Sequence, residues 1–183
     1  METILIFVAS KEEADLLLLP EIEQLPNTYV IITGYGLGGT IYNMREFGHD
    51  TIAVNVGFTG VPNTMEIHKL YSVNTSILGP NIHNINRPKV LSTIDGLPQV
   101  PCITVTDFET DPERFYPNTC YTKDYLVDME LYAIANFFDT VYALKIPSDN
   151  GDMDEYDSQT KYKDKLSSIR YKIYDIVSNL RDE

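Results

Sequence analysis

The sequence predicts an α/β fold: a single domain, residues 1–183, in which helices flank a mostly parallel, mixed central sheet. Apolar runs alternate along the chain with segments of helical periodicity, as expected for strands joined by crossover helices. The first run, Thr3–Ala9, is continuously apolar, as in a strand buried on both faces. Glycines or polar groups follow each major run, and ligands of α/β proteins bind outside the carboxyl ends of the strands. A functional site is therefore expected at that edge.

Composition describes an ordinary globular chain with a strong negative charge. The 183 residues are 43% apolar and 22% charged, which suffices for one hydrophobic core. The formal net charge of −13 at pH 7 argues against nucleic acid or an anionic membrane surface as a partner, because like charges repel. A small molecule without phosphate remains compatible with that charge.

The cysteines and the N-terminal residues favour a cytoplasmic protein. Cys102 and Cys120 form no CxxC pair and have no metal-binding spacing, which favours reduced thiols and leaves a single disulfide open. Thr3–Ala9 lacks a basic leader and is followed closely by Lys11, so no signal peptide is predicted. No run approaches the roughly 20 apolar residues that cross a bilayer.

An acidic helix start follows the first strand. Ser10 ends the strand, and a helix is predicted from there to Leu19. Glu12 and Glu13 lie in its first turn, where the helix dipole favours negative charge. Local sequence therefore fits helix-end electrostatics as well as it fits a functional carboxylate.

Two glycine-rich turns follow the next two strands. The second strand, Tyr29–Thr33, runs into Gly34–Gly39, which formally matches GxGxxG. A dinucleotide-binding turn also needs an acid at the end of the next strand, about 20 residues on. That strand, Asp50–Val56, continues instead into Gly57–Gly60, and Asp50 precedes it. A nicotinamide site is therefore excluded, and what remains is a turn that lets backbone amides approach a ligand.

The middle of the chain and its C-terminal part are assigned from pattern alone. Met65–Asn74 is predicted as a strand or hairpin arm. Ile77–Gln99, rich in Gly, Pro and Asn, is predicted as a loop with one short strand near Val90. Pro101–Val105 is a further strand, and an apolar stripe predicts a final helix over Asp157–Leu180.

Single polar residues in this region give weak indications. His49, His68 and His83 have no acid or cysteine at a suggestive spacing, so neither a metal site nor a histidine-based triad is predicted. Asp107 and Phe108 follow a strand end. Asp107 fits a catalytic group as well as a cap or turn residue, and Phe108 fits the core as well as a ligand-stacking face.

The last third of the chain holds the most suggestive carboxylates. Val127–Glu130 is predicted to open a helix, and a buried strand over Thr140–Ile146 follows. That strand is predicted to stop at Pro147, with no further strand and no immediate helix. Glu130 and Asp149 frame this unit. We expect them to meet the other groups at the strand ends, namely Glu13, Gly36, Gly57, Thr59, Gly60, Asp107 and Ser148.

Four segments, taken in order, carry a family resemblance. They are Ile6–Glu13 (IFVASKEE), Gly36–Gly38 (GLG), Val54–Gly60 (VNVGFTG), and Val127–Glu130 with Ser148–Asp149 (VDME … SD). These segments resemble the motifs of the purine nucleoside phosphorylase/nucleosidase superfamily. The resemblance is closest to its hydrolytic branch, the methylthioadenosine/S-adenosylhomocysteine nucleosidases and futalosine hydrolases. It covers nearly the whole chain and implies a nucleoside phosphorylase-like fold.

The resemblance implies a role for each matched residue. Asp149 would be the general acid that protonates N7 of a purine, and Ser148 would support it. Glu13 would activate the attacking water, while Glu130 would hold the ribose hydroxyls and Met129 would pack on the sugar. The other positions matched to the substrate site are Gly36, Gly57, Phe58, Thr59 and Gly60, together with Phe108, which matches less closely an aromatic beside the base.

The implied reaction is hydrolysis of the N-glycosidic bond of an adenosine-type nucleoside, without cofactor or metal. Such cleavage passes through an oxocarbenium-like sugar. A carboxylic acid beside the poor leaving base lowers the barrier, typically by about 10²–10⁴-fold in rate. A carboxylate on the ribose hydroxyls offsets the developing charge, and another makes water nucleophilic. The resemblance also implies a homodimer or higher homo-oligomer.

Two alternatives stay open beside hydrolysis. A phosphorylase needs cations around its phosphate, but Asn55 stands where bacterial hexameric phosphorylases have an arginine, and neither Arg45 nor Arg87 matches a site position. A non-catalytic nucleoside binder is suggested by a shortened chain, since typical family members have more residues in the region of 77–99. Phe58 and Thr59 also stand where smaller residues are usual, which bears on substrate identity.

Overall fold

A computed structural model of the chain describes residues 2–49, 51–79, 88–116, 122–157 and 159–182, apart from the side chains at positions 157, 160 and 182. The interpretations of Asp50, His83, Arg87 and Cys120 fall outside these residues. The strands are β1 (Ile4–Val8), β2 (Thr28–Ile32), β3 (Ile52–Gly60), β4 (Tyr71–Leu78), β5 (Lys89–Val90), β6 (Gln99–Thr104), β7 (Leu126–Asp128) and β8 (Thr140–Asp149). The α-helices are α1 (Lys11–Leu17), α2 (Gly36–Met44), α3 (Leu131–Phe137), α4 (Met153–Asp157) and α5 (Lys163–Asp182). Short 3-10 turns cover Pro20–Gln24, Pro112–Phe115 and Gln159–Tyr162.

Strand pairing closes part of the sheet into a ring. β8 lies between β3, to which it is parallel, and β4, to which it is antiparallel. β4 pairs with β6 and β6 with β7, and β7 returns to β3 through the pairing of Gly60 with Val127. β1 and β2 extend from β3 in parallel, and β5 adds to β4. The predicted α/β fold with a mostly parallel, mixed sheet is confirmed.

The sheet separates two hydrophobic layers because alternate side chains of a strand point to opposite faces. Ile4, Ile6 and Val8 of β1 join a cluster with the apolar stripe of α5. Leu5 and Phe7 join a second cluster with α2 and α3. All five side chains are buried, which explains why β1 is apolar at every position.

The prediction for the end of β8 was wrong. The strand does not stop at Pro147 but continues to Asp149, and α4 begins four residues later at Met153. Proline is tolerated at a bulge, because a ladder hydrogen bond is already missing there. The pairing of β8 with β3 shifts register between Thr59 and Gly60, directly opposite Pro147 and Asp149.

The start of α3 was also predicted wrongly. Leu126–Asp128 is the short strand β7, and the helix begins only at Leu131. Asp128 accepts a hydrogen bond from the backbone N–H of Leu131 at 3.0 Å, so its side chain caps the helix from the end of the strand. Three strand residues are too few to show the alternation of apolar and polar side chains that marks a strand. The helical spacing of the following residues was therefore extended back over them.

Three further boundaries differ from the sequence prediction. The glycine-rich turn predicted at Gly57–Gly60 after a strand ending at Val56 is instead the last part of strand β3. Residues 65–70 form turns, and strand β4 begins only at Tyr71. The C-terminal helix predicted from Asp157 begins at Lys163 and is preceded by α4 and a 3-10 turn. The short strand near Val90 is confirmed as β5. Within the described residues, no helix is both long enough and apolar enough to cross a membrane.

Candidate active site

A cavity of about 240 Å³ opens where β3, β7 and β8 end. Its described lining contains no Arg, Lys or His side chain. Five of its lining side chains are carboxylic acids and four are aromatic, so the cavity has both acidic and apolar walls. The acids are Glu13, Glu109, Asp128, Glu130 and Asp149, and the aromatic residues are Tyr35, Phe58, Phe108 and Tyr156.

The structure brings the residues predicted for the site together. Eight of them line the cavity directly: Glu13, Phe58, Thr59, Gly60, Phe108, Met129, Glu130 and Asp149. The other three support lining groups from behind. Gly36 donates its N–H to Glu130, Ser148 donates its hydroxyl to Asp149, and Gly57 lies beside the Glu13 carboxylate.

Glu13 is held by the ends of two strands. The side chain of the N-cap residue Ser10 accepts a hydrogen bond from the N–H of Glu13 and fixes the first turn of α1. Its carboxylate accepts hydrogen bonds from the N–H of Ala9 at 3.1 Å and from that of Phe58 at 3.2 Å. Burial raises the pKa of Glu13, while the charge of Lys145 and the two amides oppose the rise. A base whose pKa lies closer to neutrality accepts a proton more effectively.

Glu130 connects the start of α3 to the glycine turn before α2. It is the residue before the first turn of α3, but its side chain does not cap that helix. Instead Oε1 accepts the N–H of Gly36 at 2.8 Å. Gly36 has φ +79°, a left-handed conformation that glycine adopts without strain, so the amide can point at the carboxylate. Burial, followed by the charge of Asp128, raises the pKa of Glu130 to about 7.

A buried ion pair lies beneath these two glutamates. Lys145 Nζ is 2.8 Å from Asp128 Oδ2, and both side chains are 1% exposed. Asp128 also accepts the hydroxyl of Thr104 at 2.7 Å. Burial lowers the pKa of Lys145, but Asp128 and the neighbouring acidic groups outweigh it and raise the pKa above its ordinary value. We call Glu13, Asp128, Glu130 and Lys145 the lysine cluster.

Asp149 has a different environment at the other end of the cavity. Ser148 donates its hydroxyl to Oδ2 at 2.7 Å, and the N–H of Gly151 donates to Oδ1 at 2.9 Å. Among the described residues, no cation lies within ion-pair distance of Asp149. Burial raises its pKa, and the two hydrogen bonds only partly oppose the rise. The protonated acid is therefore favoured more than in water.

Aromatic rings form part of the cavity lining. Phe108 and Tyr156 meet edge to face, with ring centroids 6.0 Å apart. Tyr156 shares a side-chain hydrogen bond with Tyr35, and burial raises its phenol pKa. These rings give the cavity an apolar wall against which a flat ligand can stack. We call Ser148 and Asp149 the Asp149 end.

Other polar candidates from the sequence lie elsewhere. Asp107 is exposed and does not line the cavity. His49 packs on Phe137, and the His68 ring contacts Gln159. Asn55 is buried and donates to the carbonyl of Phe7 at 3.2 Å, so it has a structural contact outside the cavity lining.

Sequence reasoning missed five residues in or around the cavity. A lysine within the apolar run of β8 is a detectable sign of a buried ion pair, and Lys145 could have been found in this way. Asp128 lies two residues before Glu130, but assigning it to a helix hid its role. No local pattern distinguishes the others, which are Tyr35, Glu109 and Tyr156.

Comparison with solved structures matches nearly the whole chain. A variant of the Chlamydia trachomatis protein MTAN, bound to MTA, has a TM-score of 0.74 and 21% identity, over 98% of both chains. A futalosine hydrolase mutant of Helicobacter pylori has a TM-score of 0.72 and 14% identity, over 98% of this chain and 99% of its own. The chain has the nucleoside phosphorylase/nucleosidase fold.

A third structure with this nucleosidase fold has a ligand of related kind. It is the 5′-methylthioadenosine/S-adenosylhomocysteine nucleosidase of Neisseria meningitidis in complex with methylthio-immucillin-A, with a TM-score of 0.72 and 14% identity, over 98% of this chain and 100% of its own. No protein-family model and no curated protein sequence matches the chain. The structural likeness therefore establishes the fold, and the activity has to be argued from the cavity.

Proposed function

We propose that this protein hydrolyses the N-glycosidic bond of a purine nucleoside of the adenosine type, releasing the free base and a ribose derivative. The observation that carries the proposal is that Glu13, Glu130 and Asp149 line one cavity while their surroundings differ. Hydrolysis of a nucleoside needs an acid for the base, a base for water and a group that holds the sugar. The cavity provides one carboxyl group for each.

Asp149 is the proton donor to the base. Its raised pKa favours the protonated carboxyl, and the rings of Phe108 and Tyr156 line the same cavity. Proton transfer to N7 of the purine lets the electron pair of the breaking C1′–N9 bond remain on a neutral leaving base. Ser148 orients the acid through its hydrogen bond.

Glu13 and Glu130 act on the sugar side. The Glu13 carboxylate accepts a proton from water as the water oxygen bonds to C1′, and each of its oxygens keeps a lone pair beside its amide bond. Glu130 accepts hydrogen bonds from the ribose hydroxyls, and Met129 packs against the ring. After one turnover Asp149 has lost a proton and Glu13 has gained one, so the balance closes when the proton passes back through solvent.

Phosphorolysis is the main alternative, and the charges argue against it. A phosphate dianion would enter a cavity with five acidic side chains and, in the part of the chain that is described, no lining cation. Asn55, at the position where related phosphorylases have an arginine, bonds to the carbonyl of Phe7 instead. The remaining alternative is a nucleoside binder without turnover.

A base-release assay tests the proposal. Methylthioadenosine, S-adenosylhomocysteine, adenosine and inosine are incubated with the protein in phosphate-free buffer, and free base is measured by chromatography. Release without phosphate is expected for at least one of the adenosine-type substrates. Release only when phosphate is added would identify a phosphorylase. Binding of adenine by calorimetry without release from any nucleoside would identify a binder.

A further inference from the structure

Glu109 is a carboxylate of the cavity for which the proposed reaction has no use. It follows Phe108 in the loop between β6 and the 3-10 turn Pro112–Phe115. It lines the cavity, and its side chain is only 9% exposed. An acidic group buried at this level is retained only when its charge is compensated.

The loop that carries Glu109 contacts the turn that follows Asp149. At Gly151, two residues after Asp149, an added Cβ would lie 2.6 Å from the carbonyl oxygen of Thr110 and 2.9 Å from Pro112 Cδ. At Gly60 an added Cβ would lie 3.4 Å from Asp149 Oδ1 and 3.9 Å from Pro112 Cγ. The loop that carries Glu109 therefore packs directly on the turn that carries Asp149.

The Glu109 carboxylate is held by a cation and a backbone amide. Arg114 Nη2 is 2.6 Å from Oε2, and the N–H of Asp111 donates to Oε1 at 2.9 Å. The 3-10 turn with Arg114 is itself anchored, because the Tyr125 hydroxyl donates to the carbonyl of Pro112 at 2.6 Å. A carboxylate oxygen accepts up to two hydrogen bonds, so each oxygen keeps capacity for a ligand. Both oxygens act as hydrogen-bond acceptors in these contacts.

Purines differ in what they present beside N7. Adenine shows the N7 acceptor next to the 6-amino donor, whereas 6-oxopurines show two acceptors, N7 and O6. A protonated Asp149 and the Glu109 carboxylate, which line the same cavity, offer one donor and one acceptor. That pattern is complementary to the N7 edge of adenine, and with a 6-oxopurine it would bring O6 against a negative carboxylate.

We propose that Glu109, held by Arg114, is a specificity-determining residue whose carboxylate accepts the 6-amino group while Asp149 protonates N7, so that the site selects 6-aminopurines over 6-oxopurines. The inference rests on the proposed function, since it places the base at the Asp149 end. It adds to that function a residue that chooses the substrate without taking part in bond cleavage.

Adenosine and inosine test the selection, because they differ at the 6-position. We expect a higher kcat/KM for adenosine than for inosine in the wild type. Glu109→Gln offers an amide that can donate to O6, and we expect it to lower the adenosine-to-inosine ratio by about 10- to 100-fold, the range for a hydrogen bond to a charged group. Arg114→Gln, which frees the carboxylate, should lower the ratio less. Glu113→Gln is the matched control, since Glu113 bonds outward to Asn63 and should leave the ratio unchanged.

Calorimetry with the free bases separates this inference from the proposed hydrolysis. Tighter binding of adenine than of hypoxanthine, weakened by Glu109→Gln, would support base selection even if no nucleoside is cleaved. Cleavage of both nucleosides with a ratio that Glu109→Gln leaves unchanged would overturn the selection and leave hydrolysis intact. A wild-type preference for inosine, or binding of neither base, would also overturn it.

Discussion

The two ends of the cavity hold acidic groups in opposite ways. The lysine cluster has three carboxylates around one buried cation, with Lys145 2.8 Å from Asp128. At the other end the Asp149 carboxyl is held by a hydroxyl and an amide. Residues of α1, of two strands and of the start of α3 form the first arrangement, whereas Asp149 lies at a bulge and under a loop.

Burial raises the pKa of Glu13, Glu130 and Asp149 alike, but Lys145 opposes the rise at the two glutamates, whereas a hydroxyl and an amide oppose it at Asp149. A cation beside a carboxylate favours the charged form, and burial without a cation favours the neutral acid. In the proposed reaction the sugar side needs negative charge and the base side needs a proton. Lys145 thus supplies positive charge at the sugar side only.

The largest effect is expected from removing the acid of the Asp149 end. Asp149→Asn keeps the shape and the acceptor oxygen but cannot deliver a proton, so kcat should fall by at least about 10²–10⁴-fold. Base release measured by chromatography gives the rate, and circular dichroism reports the fold. Asp107→Asn, an exposed change outside the cavity lining, should retain wild-type activity. A rate for Asp149→Asn within a few-fold of wild type would exclude this residue as the acid.

Removing the cation tests the lysine cluster. Lys145→Met leaves Asp128 as an unpaired buried charge, and we expect the free energy of unfolding to fall by about 3–5 kcal/mol. Urea unfolding measures the change. Lys145→Arg should retain most of the stability, because it keeps the charge. Lys69→Met removes a similar pair at 2.9 Å to Glu66, but that pair is solvent-exposed and should leave the unfolding midpoint unchanged. Equal behaviour of the two methionine variants would contradict the role given to burial.

A smaller effect is expected from the hydroxyl that supports Asp149. The Ser148 hydrogen bond opposes the rise in the pKa of Asp149, so Ser148→Ala should raise that pKa further. Because the acid works only when protonated, activity is lost as pH rises through this pKa. The alkaline limb of kcat/KM should therefore move to higher pH, with a loss in kcat of about 2- to 10-fold.

Ser148→Thr is the control for this shift, because it keeps the hydroxyl. Its pH profile should stay close to that of the wild type. An alkaline limb that moves to lower pH in Ser148→Ala, or that moves equally in both variants, would show that Asp149 does not set it.

Most of the sheet could be predicted because its strands are buried on both faces. β1 is an apolar run with helices packed on both faces, and its position was predicted from that run. The start of β3 was predicted in the same way, but its last four residues, Gly57–Gly60, were predicted as a turn. The errors lie where tertiary contacts override local pattern. Proline usually ends a strand, but Pro147 is accommodated by a register shift between β8 and β3. The three residues of β7 are recognised as a strand only from their pairing with neighbouring strands.

The groups of the site could be predicted in part. Glu13, Glu130 and Asp149 lie at element ends, where polar residues interrupt apolar runs, and the family resemblance gave them expected roles. The ion pair of Lys145 could not be predicted, because its partner Asp128 was assigned to a helix. Tyr35 and Tyr156 are far apart in sequence, and folding brings them into hydrogen-bond contact. Their local sequence therefore could not predict that both lie in the site.

The ring of strands has a consequence for how the chain folds during synthesis. β3 and β4 are neighbours in sequence, but β8 lies between them in the sheet. Until Thr140–Asp149 has left the ribosome, the edges of both strands have no β8 to pair with, and such edges promote aggregation. The same late strand carries Lys145 and Asp149. Completion of the sheet and assembly of the cavity are therefore a single late event.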